Sequence, residues 1–87
     1  MTTKYIVTCY SPPASLDIKS GDKVEVEGYE RESKIRANSI VNITKKGPRC
    51  LCEMPKAVAQ FGKNVMVKGK ASNVQQSSGF VQFDLET

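Results

Sequence analysis

Between residues 34 and 70 the chain carries nine basic side chains and one acidic one, Glu53. Clustered cations of this kind can neutralise phosphates and release the counterions condensed on a nucleic acid. Lys34, Arg36, Lys45, Lys46, Arg49 and Lys68 are the candidates for such contacts, with Lys70 beside them. The segment just before is of opposite sign: Asp22, Glu25, Glu27, Glu30 and Glu32 stand against Lys23 and Arg31. This division predicts one face suited to a polyanion. The competing use for the same lysines is to keep strands soluble and sheet edges unpaired.

Other chemistries are poorly supplied. The chain has no histidine, the commonest general acid or base. Glu25, Glu27 and Glu53 sit among lysines as outward-facing strand residues, and no glycine-rich phosphate loop precedes a helix. The chain therefore reads as not an enzyme. Cys50 and Cys52 have the one metal-like spacing, since i and i+2 on a strand point the same way and Cys9 is a third sulfur. A structural zinc site takes four ligands, so these cysteines read as small core residues and no metal or cofactor is expected. An odd number of cysteines predicts reduced thiols and a cytoplasmic protein. No apolar run approaches the ~20 residues of a membrane span, and the start lacks the pattern of a secretory leader.

Eighty-seven residues of ordinary composition predict a single domain with a small aliphatic core. Its organising signal is a repeated frame, G-x-x-V-x-V-x-G, at Gly21 to Gly28 and again at Gly62 to Gly69. In each copy two valines face one side of a strand, and the second glycine lets that strand bend. Around these lie further strands at 4–10, 34–45, 49–54 and 80–86. Pro12 and Pro13 stop the first of them. In the third, Ile35 and Ala37 share a face that Ile40, Val41 and Ile43 cannot all share, which predicts a bulge near Asn38 and Ser39. Cys50, Cys52 and Met54 are expected to face the core. Pro55 followed by 56–61 predicts a short helix, and 73–79 reads as a polar loop.

The order of strands and helix, with glycine-bent first and fourth strands, resembles the OB-fold, a small five-stranded barrel. The segment from Arg49 to Gly69 is similar to the tRNA-anticodon-like and replication-protein-A-like branches of that fold. The resemblance covers residues 21–86. It implies an all-β barrel with a short helix between strands three and four, and leaves residues 1–20 as an extra N-terminal strand and connector. It also implies binding of single-stranded nucleic acid, DNA or RNA. In this alignment strands two and three carry no Phe, Tyr or Trp, so base stacking would fall to Tyr29 and Phe80 at the rims of the basic groove. The alternative is a protein-interaction module or a small subunit of a larger complex, in which 4–10 pairs with a partner's sheet edge or a second copy. An SH3-like barrel is compatible with the same strand signals.

Overall fold

The computed structural model describes residues 3–54 and 62–87. Six strands form in chain order: β1 (Lys4–Tyr10), β2 (Lys23–Arg31), β3 (Lys34–Asn42), β4 (Arg49–Leu51), β5 (Lys63–Ser77) and β6 (Phe80–Glu86). Five of them close a ring. Antiparallel pairings run from β1 to β6, β5, β2 and β3, and a parallel contact between β3 and β1 completes the circle. There is no helix among the described residues, and the helix expected at 56–61 lies outside them.

The ring closes because β1 is amphipathic at the strand period. Val7 and Cys9 point inward and are fully buried, while Ile6 and Tyr10 are more than a third exposed. β1 pairs with β6 over its whole length, from Lys4 opposite Glu86 to Tyr10 opposite Phe80. On its other side Ile6, Val7 and Thr8 run parallel to Lys34, Ile35 and Arg36. This corrects the expectation for residues 1–20: the first strand is an integral stave, and the additional strand is β4. β4 takes the part of β3 that β1 leaves uncovered, with Cys50 opposite Ile40. With both sides bonded, Ile6–Thr8 also has no edge left for a partner's sheet.

The inward faces supply the core: Val24 and Val26 from β2, Ile35, Ala37 and Ile40 from β3, and Val81, Phe83 and Leu85 from β6. Each large aliphatic or aromatic side chain buried here contributes roughly 1.5–3 kcal/mol. The two glycine-framed strands lie side by side, with Val26 opposite Val67 and Val24 opposite Gly69. Glu27 pairs with Ser39 and Gly28 with Ala37, so Asn38 is the extra residue of a bulge, where the broken alternation placed it.

The connector 11–22 closes one end of the barrel by dropping Leu16 and Ile18 into the core. A polar cluster holds it there. Asn42 Nδ2 donates to the Asp17 carbonyl at 2.8 Å and to Asp22 Oδ2 at 2.9 Å. The backbone of Lys19 donates to the same carboxylate oxygen at 3.0 Å. The chain ends are neighbours: the Thr87 N–H donates to the Thr3 carbonyl at 2.9 Å.

The cysteine expectation is also corrected. Cys9 and Cys52 form a disulfide between the end of β1 and the residue after β4, and Cys50 is the one unpaired thiol, buried in the core. The pairing withdraws the thiol argument for a cytoplasmic location. Cys50 and Cys52 do face inward and belong to the core, whereas Met54 is only half-buried. No helix among the described residues is long and apolar enough to cross a membrane.

Candidate nucleic-acid interface

The strand pairings assemble an outward-facing row from four strands. Tyr29 on β2 lies opposite Arg36 on β3. Arg36 lies beside Thr8 on β1, and Thr8 is opposite Gln82 on β6. One step along, Tyr10 is opposite Phe80, with ring centroids 6.3 Å apart and planes tilted by 47°. The guanidinium carbon of Arg36 sits 4.5 Å from the centre of the Tyr10 ring. Phe80, Tyr10 and Arg36 thus form a continuous surface of flat groups, and Tyr29 extends the row beyond Arg36.

The local sequence explains this placement. In β1 the inward positions are taken by Val7 and Cys9, so the pleat turns Ile6, Thr8 and Tyr10 outward. In β3, Ile35 and Ala37 are buried and Arg36 between them must face out. Arg36 is nonetheless half covered, and its Nε is buried with no hydrogen-bond partner among the described residues. The ring face of Tyr10 supplies part of the missing interaction, worth ~0.5–2 kcal/mol for a cation over an aromatic face. At the rim, the Ser11 hydroxyl donates to Glu53 Oε2 at 2.7 Å and the Glu53 N–H donates to the Tyr10 carbonyl at 2.8 Å. The disulfide joins the two residues immediately before Tyr10 and Glu53, and so anchors this corner.

The eight residues singled out by sequence separate into groups. Arg36, Tyr29 and Phe80 belong to the row just described, with Lys34 exposed at its border opposite Arg31. Arg49 and Lys68 lie on another part of the surface and converge on Glu25, at 3.8 and 3.5 Å; Arg49 also donates to the Ser39 hydroxyl at 2.9 Å. Lys45 turns to the plugged end, where its Nζ is 2.6 Å from Asp17 Oδ2 and 4.0 Å from Asp22 Oδ2. Lys46 occupies a left-handed turn position beside it, with φ 52°. The six cations are therefore not gathered into one groove, and three of them already face carboxylates.

No family model, curated protein or solved structure matches this chain.

Sequence reasoning missed Tyr10, because β1 was assigned outside the barrel. The signal was present: with Val7 and Cys9 on the inner face, Tyr10 had to be outside. Residues 73–77, expected in a loop, belong to β5. Val74 among them packs on the core, while Asn73, Gln75, Gln76 and Ser77 are exposed. Among the described residues no group of three or more His, Cys, Asp or Glu is arranged to hold a metal ion.

The carboxylates near these surfaces are held ionised. The Asn73 amide, and then Lys4, keep the Asp84 carboxyl below its ordinary value, and hydrogen bonding and attraction from Lys45 do so for Asp17. Asp22 is lowered chiefly by the Asn42 amide, with the Lys19 N–H second.

Proposed function

We propose that this protein binds single-stranded nucleic acid on the outer face of β6, β1 and β3, with bases stacking on Phe80, Tyr10 and Arg36. The observation that carries the reading is the continuous flat surface made by these three side chains. Aromatic rings stack on any base and contribute about 1–3 kcal/mol per base, and arginine adds a cation that also attracts phosphate. Unpaired strands are the fitting substrate because their base faces are accessible, whereas a duplex hides them. Lys34 borders the surface and would meet the backbone, within a chain of net charge +4.

We further propose that the barrel is of the OB type, entered at a different strand. In an OB barrel the third and fifth strands are the parallel neighbours, and the long first strand is shared between the second and the fourth. Here β5 is long, pairing with β2 through its first half and with β6 through its second. Taking β5, β6, β1, β2 and β3 as the five places reproduces every neighbour, and the parallel contact falls on β1 and β3. The junction between the second and third places is where Thr87 meets Thr3. In this alignment the ligand face of strands two and three is that of β6 and β1. Phe80 and Tyr10 then supply the aromatics that the direct chain order lacked.

The test is fluorescence anisotropy of labelled mixed-sequence single-stranded DNA and RNA, titrated with folded protein at two salt concentrations. Saturable binding that weakens with salt is expected, and the DNA-to-RNA ratio names the preferred substrate. Absence of binding at low salt overturns the reading.

A further inference from the structure

A cavity of about 470 Å³ opens beside the stacking surface, between β5 and β6, lined by Asn73, Val74, Gln75, Gln82, Phe83 and Asp84. A bulge creates it. Ser72 pairs with Asp84 and Gln75 with Gln82, so Asn73 and Val74 stand opposite the single residue Phe83, and Asn73 takes a left-handed φ of 51°. The pleat of β6 puts Phe80, Gln82 and Asp84 on one side, with Val81, Phe83 and Leu85 buried on the other. Alternate strand residues are about 6.7 Å apart, close to the width of a base. Gln82 therefore lies about one base width along β6 from Phe80, on the same side of the strand.

The groups in the cavity are selective. Asp84 is ionised and only accepts hydrogen bonds. Its Oδ2 takes the Asn73 amide at 2.8 Å and lies 3.3 Å from Lys4 Nζ, which leaves both acceptor positions of Oδ1 for two donors of a ligand. Gln82 both donates and accepts, and makes no side-chain hydrogen bond within the described residues. Guanine offers two adjacent donors, N1–H and the N2 amine, next to the acceptor O6. Adenine would set its N1 lone pair against the carboxylate, cytosine likewise its N3, and uracil or thymine offers a single N–H between two carbonyls.

We infer that the cavity between the β5 bulge and β6 reads the Watson–Crick edge of an unpaired guanine, with Asp84 accepting from N1–H and the N2 amine and Gln82 donating to O6. This rests on the function proposed above and adds base preference to it.

The experiment compares short labelled thymine strands carrying one central guanine, adenine, cytosine or inosine, by anisotropy. Guanine is expected to bind about tenfold more tightly than adenine. Inosine, which keeps N1–H and O6 but lacks the N2 amine, should fall between them. Asp84→Asn and Gln82→Ala should each bring guanine and adenine within about twofold of one another, the ratio being read relative to the same variant's binding of the plain thymine strand. Circular dichroism checks the fold of Asp84→Asn, which alters the Lys4 pair, and Gln82→Ala disturbs no side-chain bond. Equal binding of all four strands, or a guanine preference that survives in both variants, overturns the inference while leaving the proposed function standing. If no strand binds, both fall together.

Discussion

The guanidinium of Arg36 lies over the ring of Tyr10 at the parallel contact between β3 and β1, 4.5 Å from the ring centre. The pair ties the barrel's closure to its outer surface. β1 and β3 must be aligned for the two groups to meet, and once aligned they shield one another from water. Phe80 lies beside Tyr10 with ring centroids 6.3 Å apart, so the Tyr10 ring already has packed neighbours before any ligand arrives. Such preorganisation removes much of the ordering cost that binding otherwise carries.

Replacing Tyr10 by alanine is expected to lower affinity for single strands by about 5- to 150-fold, the range of ~1–3 kcal/mol for losing one stacked base. Tyr10 also faces Arg36, so thermal stability should fall modestly, by ~0.5–2 kcal/mol for the lost cation–aromatic contact. Anisotropy titrations paired with thermal unfolding separate the two effects.

Salt dependence should report which cations meet phosphate. Lys34→Gln is expected to reduce the log–log salt slope by about 0.7, the single-strand value for one phosphate contact. Arg49→Gln and Lys68→Gln should change it less, because Glu25 already opposes both charges. Titrations of the three variants across a salt series provide the comparison.

Acid should destabilise the protein through its lowered carboxyls. Asp17, Asp22 and Asp84 all titrate below the ordinary value of 3.8 when folded. A depressed folded value means the stabilisation is complete above the unfolded value and is lost as pH falls through the folded one. The melting temperature is thus expected to hold from neutral pH to about pH 5 and to fall below about pH 4. Asp22→Asn, which removes one titrating group, should flatten that fall in scans across the same range.

Reduction of the Cys9–Cys52 disulfide, which spans a sequence separation of 43, should cost about 4 kcal/mol by the chain-entropy relation. Urea unfolding with and without a dithiol reductant measures this, and Cys9→Ala/Cys52→Ala should reproduce the reduced midpoint. Cys50, buried in the core, should resist thiol reagents until the barrel opens.

Gly28→Ala should damage the bulge. A methyl group there would collide with the Arg36 carbonyl oxygen and lie 2.9 Å from the Ala37 Cα, both of them backbone. Overpacking of this kind costs typically ~1–3 kcal/mol, and the variant's unfolding midpoint should fall accordingly.

Much of the barrel was legible because its signals are local. Alternation placed Val24 and Val26 inside, the break after Ala37 located the Asn38 bulge, and the spacing of Cys50 and Cys52 put both sulfurs inward. Closure was not legible, because it depends on which distant strands meet. Nothing within 4–10 names Lys34–Arg36 as its parallel neighbour, and Pro12 and Pro13 made the segment look detached. The disulfide was hidden for the same reason, since an odd cysteine count leaves the pairing undetermined and the two sulfurs meet only once β1 and β4 are in place. At the candidate site Phe80, Arg36 and Tyr29 were found by residue type. Tyr10 needed the assignment of β1 to the barrel, and the carboxylate partners of Lys45, Arg49 and Lys68 needed the fold.

The pairing of β1 with β6 has a kinetic consequence. β1 and β6 are the first and last strands of the barrel in chain order, so the ring cannot close until β6 has been made. Until then β1 lacks the strand that pairs with it over its whole length, and is left with the short parallel contact at Ile6–Thr8, the Tyr10–Glu53 bridge and the Cys9–Cys52 disulfide. Contacts between such distant residues slow folding, because the loop must close before they form. Exposed apolar staves are therefore the species most vulnerable to aggregation before the ring closes.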